Sequence, residues 1–212
     1  MDSLYKRAFV MQWNARWVRN KLPDLKLFLL KYQIRVPVQA YVKNDFRLSG
    51  YNVFSSCNQG VSRTVLCVRR DCTAAVQQGP QIPSVDHVSC RIRQGKLQLT
   101  VVSLYIPPSV TISKHTLRSI FSGLQSPFLV VGDINAHSHM WGSVKPDRKG
   151  QLWDDIIEEL DVCVPNDGSH TYLRRDFSTD ALDVSICSRD IFKSLSWATD
   201  VEGRGSDHLP IY

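Results

Sequence analysis

The stretch Phe128–Ser143, FLVVGDINAHSHMWGS, carries the residue types best suited to act on a bound substrate. Its apolar start predicts a buried strand that delivers Asp133 and Asn135 to its C-terminal end. Alternation in a continuing strand would put both side chains on one face, and Gly132 beside them lets another backbone or a ligand approach closely. A carboxylate next to an amide suits water activation: the Asp can orient or deprotonate a nucleophile, and the Asn can donate hydrogen bonds to charge developing on a phosphoryl oxygen. The same Gly-Asp-x-Asn pattern also builds turns in which both side chains bond only nearby backbone. His137 and His139, with no Cys or further His close by, make a poor tetrahedral zinc set.

These residues must be positioned by a scaffold, and the composition describes one. The chain has 212 residues, 43% hydrophobic and 22% charged, with a formal charge of +6. That profile favours a single globular domain, 1–212, with moderate attraction to polyanions. No apolar run approaches the ~18 residues of a membrane span, and Met1–Arg7 lacks an apolar signal core, so no membrane partner is expected. No run of basic residues marks nuclear import, which leaves localisation open. The six cysteines form no CxxC pair and read as reduced core residues.

Apolar runs rich in Val, Ile, Phe and Tyr predict strands over Ala8–Trp13, Gln33–Gln39, Tyr51–Phe54, Thr64–Val68, Val88–Ile92, Leu97–Ile106, Phe128–Gly132, Leu182–Ile186 and Phe192–Trp197. Helical spacing marks three segments: Leu22, Leu25, Leu29 and Tyr32; a stretch capped by Ser113 and stopped by Gly123; and Gln151–Leu160, whose Asp154, Asp155, Glu158 and Glu159 read as a solvated face. Consecutive strands without intervening helices argue against simple βαβ alternation and for two packed sheets with helices outside.

Four further segments complete the pattern: Gln12-Trp13-Asn14 with Asn20-Lys21, Ser103–Pro108 (SLYIPP), Ser178–Asp183 (STDALD) and Gly205–Ile211 (GSDHLPI). In this order, with GDINAH and the following WGS, the chain resembles the endonuclease/exonuclease/phosphatase superfamily over about Phe9–Ile211. It is most similar to the apurinic-type endonuclease domain of non-LTR retrotransposons of the arthropod kind. The resemblance implies an α/β fold, a four-layer sandwich of two mainly antiparallel β-sheets flanked by helices, and Mg²⁺- or Mn²⁺-dependent hydrolysis of a DNA phosphodiester by in-line attack of water. It implies that Asn14 sits beside the metal and that Asp207 is a metal ligand or supports one. Asp133 would activate the water, Asn135 would hold it or bond the phosphate, Tyr105 would bond a phosphate oxygen, and His208, oriented by Asp183, would touch the scissile phosphate. Such domains accompany a reverse transcriptase, which this chain does not include. The chain also stops within what the resemblance makes its final strand, so a C-terminal truncation is expected.

One position departs from that pattern. The strand that normally ends in Gln-Glu reads Arg35-Val-Pro-Val-Gln39-Ala40-Tyr41, so Ala40 stands where the principal carboxylate ligand belongs. Asp45, the nearest carboxylate, lies in a predicted loop and is a poor substitute. An effective dielectric of ~20 makes one carboxylate against a unit charge at ~4 Å worth about 4 kcal/mol before desolvation; a discounted ~3 kcal/mol weakens metal affinity about a hundredfold or more. The expectation is a nuclease architecture with impaired activity. The alternatives are a catalytically inactive DNA-binding relic, using Arg16, Arg19, Lys21, Arg69, Arg70, Lys145, Arg148, Lys149, Arg174 and Arg175, or a phosphatase of the same superfamily.

Overall fold

The computed structural model describes residues 9–43, 46–56, 61–80, 82–83 and 85–212. Near its start, β1 (Val10–Trp13) runs parallel to β2 (Val36–Lys43), and α1 (Leu22–Lys31) crosses between them. The sheet is completed by β3 (Tyr51–Ser55) and β4 (Val61–Arg69) in the order β1-β2-β4-β3, with both further pairings antiparallel. Next come β5 (Thr73–Gln77), β6 (Asp86–Gln94), β7 (Leu97–Tyr105), α2 (Lys114–Phe121), β8 (Phe128–Asp133) and α3 (Arg148–Glu159). A short hairpin of β9 (Tyr172–Leu173) and β10 (Thr179–Asp180) precedes β11 (Asp183–Cys187) and α4 (Arg189–Phe192). The second sheet has the order β11-β8-β7-β6-β5, antiparallel except for β7 beside β8.

Packing sorts these elements into four layers. Val36, Val38, Leu66 and Val68 of the first sheet share a buried cluster with Cys90, Ile92, Val101, Leu129 and Val131 of the second, so the two sheets lie face to face. On the outer side of the first sheet, Leu25, Phe28 and Leu29 of α1 pack on Met11, Val65 and Cys67. Outside the second, Leu117 and Ile120 of α2 and Trp153, Ile156 and Ile157 of α3 cover Val102, Leu104 and Val130. This is the four-layer α/β sandwich that strand-rich patterning predicts. Among the described residues no helix is long and apolar enough to cross a membrane.

Local chemistry sets the helix limits. The Ser113 hydroxyl accepts from the Thr116 N–H, and Gly123 adopts φ +76° just past the end of α2. Helix α3 starts three residues earlier than its apolar period indicates, because the Asp147 carboxylate accepts from the Gly150 N–H. Its acidic face is less idle than predicted: Glu159 pairs with Arg118 and Asp155 with Lys114, tying α3 to α2, while Asp154 accepts from the Ser138 hydroxyl. Five cysteines are free thiols, four of them buried; Cys57 lies outside the described residues, as does Ala8.

Some strand expectations need correction. Gln33 adopts φ +51° in the turn that ends α1, so β2 begins only at Val36. Phe192–Trp197 forms no strand; α4 ends there, and the Ser194 and Leu195 N–H groups bond back to Ile191 and Phe192. Its apolar residues Phe192 and Leu195 are three apart, a helical-turn spacing rather than an alternation. Short β5, β9 and β10 hold no fully buried residue, and β9 and β10 are too short to form an apolar run. Finally, β8 does not continue to Asn135, which takes φ +45° and turns the chain out of the sheet.

Candidate active site

Strand register builds one row of this site. Asp133 ends β8, with Tyr105 of β7 opposite it on one side and Asp183 of β11 on the other. Opposed residues share a sheet face. The row needs β7 and β8 in close approach, and Gly132 provides it: a Cβ there would lie 1.8 Å from the Leu104 carbonyl oxygen. From the first sheet, Asn14 follows the last residue of β1. The segment 207–212 then links the first sheet to the β9–β10 hairpin: Ile211 exchanges backbone hydrogen bonds with Gln12, Leu209 donates to the Thr171 carbonyl, and Leu173 donates to that of Asp207. This crossing carries His208 into the cleft.

The result is a buried polar network. The Asn14 side-chain amide donates to Asp133 Oδ2 at 2.8 Å, and His208 Nε2 lies 3.7 Å from the same oxygen. On its other side, His208 Nδ1 meets Asp183 Oδ2 at 2.7 Å. Asp183 is held by Gln12, whose amide donates at 3.2 Å, and by Thr171, whose hydroxyl donates at 2.9 Å while accepting the Leu182 and Asp183 N–H groups at 3.1 Å. Burial pushes Asp133 up to about 7, with the Asp183 charge adding to it and His208 opposing. Burial alone would lower His208, but the charge and hydrogen bond of Asp183, with Asp133 behind, raise it to about 9. At neutral pH the pair therefore offers a carboxylate poised to take a proton beside a cationic imidazole.

A pocket of about 460 Å³ opens over this network, lined by Asn14, Arg16, Trp17, Tyr105, Asn135 and His208 among others. Asn135 keeps its place by donating its N–H to Asp133 Oδ1 and its amide to the Ile106 carbonyl, so the local turn and the pocket wall are the same structure. Tyr172 rests its ring against His208, with centroids 4.7 Å apart. Of the basic residues, Lys149 is committed inward: its amine donates to the Pro107 and Pro108 carbonyls and holds the loop after Tyr105. Arg69 pairs with Asp71, Arg174 with Asp180, and Arg16 with Asp207. His137 lies 3.2 Å from Asp180 and His139 bonds the Ser143 carbonyl.

Residues 99–212 match the family described as Endonuclease-reverse transcriptase, more than half of the chain. The chain belongs to that family. It is an endonuclease/exonuclease/phosphatase domain of the non-LTR retrotransposon type. The RNA-directed DNA polymerase from mobile element jockey of Drosophila melanogaster is 24% identical over 210 residues, covering 94% of this chain but 23% of that protein. The probable RNA-directed DNA polymerase from transposon BS of the same fly is 24% identical over 223 residues, covering 95% and 23%. The chain thus spans about a quarter of the length of these relatives. In fold it is similar to the endonuclease domain of TRAS1, a telomere-specific non-LTR retrotransposon, with TM-score 0.81, 22% identity, and 95% and 94% of the two chains covered. An AP endonuclease from Archaeoglobus fulgidus follows at TM-score 0.74 and 15% identity, covering 95% and 96%.

For this retrotransposon endonuclease domain, the test of a divalent ion is the oxygen donors present. Asp207 Oδ1 is buried with no hydrogen-bond partner among the described residues, the kind of orphaned oxygen a cation would satisfy. The Asn14 side-chain oxygen accepts the Arg16 N–H at 3.3 Å and is a second donor. Among the described residues no three His, Cys, Asp or Glu gather as a ligand group. In β2, Ala40 pairs with Thr64, one residue past Gln39, which pairs with Trp13 beside Asn14; its side chain and Asp45 lie outside what is described. Mg²⁺ keeps several waters and needs one or two protein carboxylates, so this donor set fits a thinly held hydrated ion. Gln12 and Thr171 were missed as site residues by sequence reasoning. Thr171 gives no local signal at all, since its role exists only where its hydroxyl meets Leu182 and Asp183 at the start of β11.

Proposed function

We propose that this chain is the endonuclease domain of a non-LTR retrotransposon polyprotein, built to hydrolyse a phosphodiester of DNA with Mg²⁺ or Mn²⁺ and impaired by Ala40. The observation that carries the reading is the convergence of Asn14, Asp133, Asp183 and His208 in one buried network beneath an open pocket. Asn14 and Asp207 would hold the ion, which supplies positive charge to the phosphate. Asp133, as carboxylate, takes the proton of the attacking water. Cationic His208, backed by Asp183, donates a hydrogen bond from Nε2 to a phosphoryl oxygen as charge develops there. Tyr105 and Asn135, from the pocket wall, orient the phosphate and the water.

The replacement of the usual glutamate by Ala40 favours a second reading, a relic that binds DNA without cutting it. Nicking of supercoiled plasmid in millimolar Mg²⁺ separates the two. The expected outcome is weak nicking by the wild type and a large gain in Ala40→Glu. Equal, robust rates in both refute impairment; salt-sensitive DNA binding without nicking in either selects the relic. Hydrolysis of a phosphomonoester with none on DNA moves the assignment to a phosphatase. The relatives carry the remainder of a reverse transcriptase polypeptide, and we take that domain as the functional partner.

A further inference from the structure

Arg16 sits where a cation would act. It follows Asn14 by two residues, takes the left-handed backbone conformation at φ +52°, and lines the pocket with Tyr105, Asn135 and His208. Its backbone N–H is on the Asn14 side-chain oxygen, and its guanidinium is paired with Asp207 Oδ2. One arginine therefore engages the Asn14 oxygen and the Asp207 carboxylate, the latter through Oδ2 while Oδ1 stays unpartnered among the described residues. The neighbouring Lys21 is tied down separately, its amine donating to the Ala15 carbonyl at 2.8 Å. The Arg16 side chain is 56% exposed and that of Asp207 is 21% exposed, so the guanidinium has room to change partner while the carboxylate is largely covered. Carboxylate and phosphate present the same paired oxygens to a guanidinium fork, and an ion pair this exposed is easily exchanged.

We propose that Arg16 is a place-holding counterion: it occupies Asp207 in the free domain and transfers to an arriving backbone phosphate, which releases Asp207 for the divalent ion. The inference rests on the nuclease reading above and adds a coupling to it. Phosphate and ion binding reinforce each other through Arg16, and by linkage the effect is reciprocal. In the absence of phosphate the guanidinium opposes the ion. With alanine at position 40 the donor set is thin enough that this opposition decides whether an ion binds at all.

The test is Mn²⁺ binding to the free protein, read by electron paramagnetic resonance. Arg16→Gln is compared with Lys96→Gln, which removes the same charge from the β6–β7 turn at the far end of those strands. Arg16→Gln is expected to bind Mn²⁺ about fivefold or more tightly than wild type, the size of a modest coupling, with Lys96→Gln within about twofold. Arg16→Lys, which keeps the charge, stays nearer to wild type. In EDTA, a fluorescent DNA duplex binds Arg16→Gln more weakly than Lys96→Gln. Unchanged Mn²⁺ affinity in Arg16→Gln, while Ala40→Glu binds tightly, overturns the exchange and leaves the nuclease reading standing. Absence of Mn²⁺ binding in every variant, Ala40→Glu included, overturns both.

Discussion

Thr171→Val probes how the Asp183–His208 pair is held. Valine matches threonine in shape, so the change isolates the hydroxyl. That hydroxyl is fully buried, accepts the N–H groups of Leu182 and Asp183 at 3.1 Å, and donates to Asp183 Oδ2 at 2.9 Å. Its loss removes the acceptor of two backbone donors and one of the donors to a buried carboxylate. Each buried group left unsatisfied costs roughly 1–3 kcal/mol, and a total of about 3 kcal/mol is expected after local relaxation. For a domain of this size, about 2–4 °C of Tm per kcal/mol gives a fall of roughly 6–12 °C. Thr171→Ser keeps the hydroxyl and loses one methyl, about 1 kcal/mol. The assay is thermal unfolding followed by circular dichroism. If the Val and Ser variants melt within about 2 °C of each other, the hydroxyl does not anchor the pair and the reasoning fails.

Other outcomes follow from the same network. Calorimetry should find Mg²⁺ affinity on the order of a hundredfold higher in Ala40→Glu than in the wild type; no change would mean that position 40 does not face the ion. In that variant, nicking rate against pH should be bell-shaped, rising as Asp133 ionises through about 7 and falling as His208 deprotonates through about 9, and Asp183→Asn should move the upper limb down. Stability should fall as pH rises. Both pKa values are raised on folding, so the folded state binds protons more tightly than the unfolded one. Asp133 contributes between its ordinary 3.8 and about 7, His208 between 6.5 and about 9. Denaturant titrations across this range, compared with Asp133→Asn and His208→Gln, check the sign; a stability that climbs towards pH 9 contradicts it.

Much of the scaffold was legible because it rests on local rules. Phe128–Asp133 is an apolar run buried along its length, Ser113 and Gly123 bracket α2 by their own side-chain and backbone chemistry, and α3 shows its period in Trp153, Ile156 and Ile157. Expectations failed where a period was misread or a partner lay far away. Phe192 and Leu195 have turn spacing, and two-residue β9 and β10 owe their pairing to each other and, for β9, to the distant segment around Asp207 and His208. Asn135 illustrates a half-success: it belongs to the pocket, as its type suggests, but a left-handed turn brings it there, not strand alternation.

The residue kinds that make the site, and the alanine that departs from it, can be read from the chain as letters, since Asp, Asn, His and Tyr carry their chemistry with them wherever they stand. Which of them act together is a matter of register and crossing. Tyr105, Asp133 and Asp183 become neighbours because three strands pair in one alignment, and Asn14 reaches Asp133 because the ends of β1 and β8 meet across the two sheets. The pKa values, the seat of Thr171 and the guanidinium on Asp207 belong to this second class. They depend on burial and on distances between residues remote in sequence, which no local pattern contains.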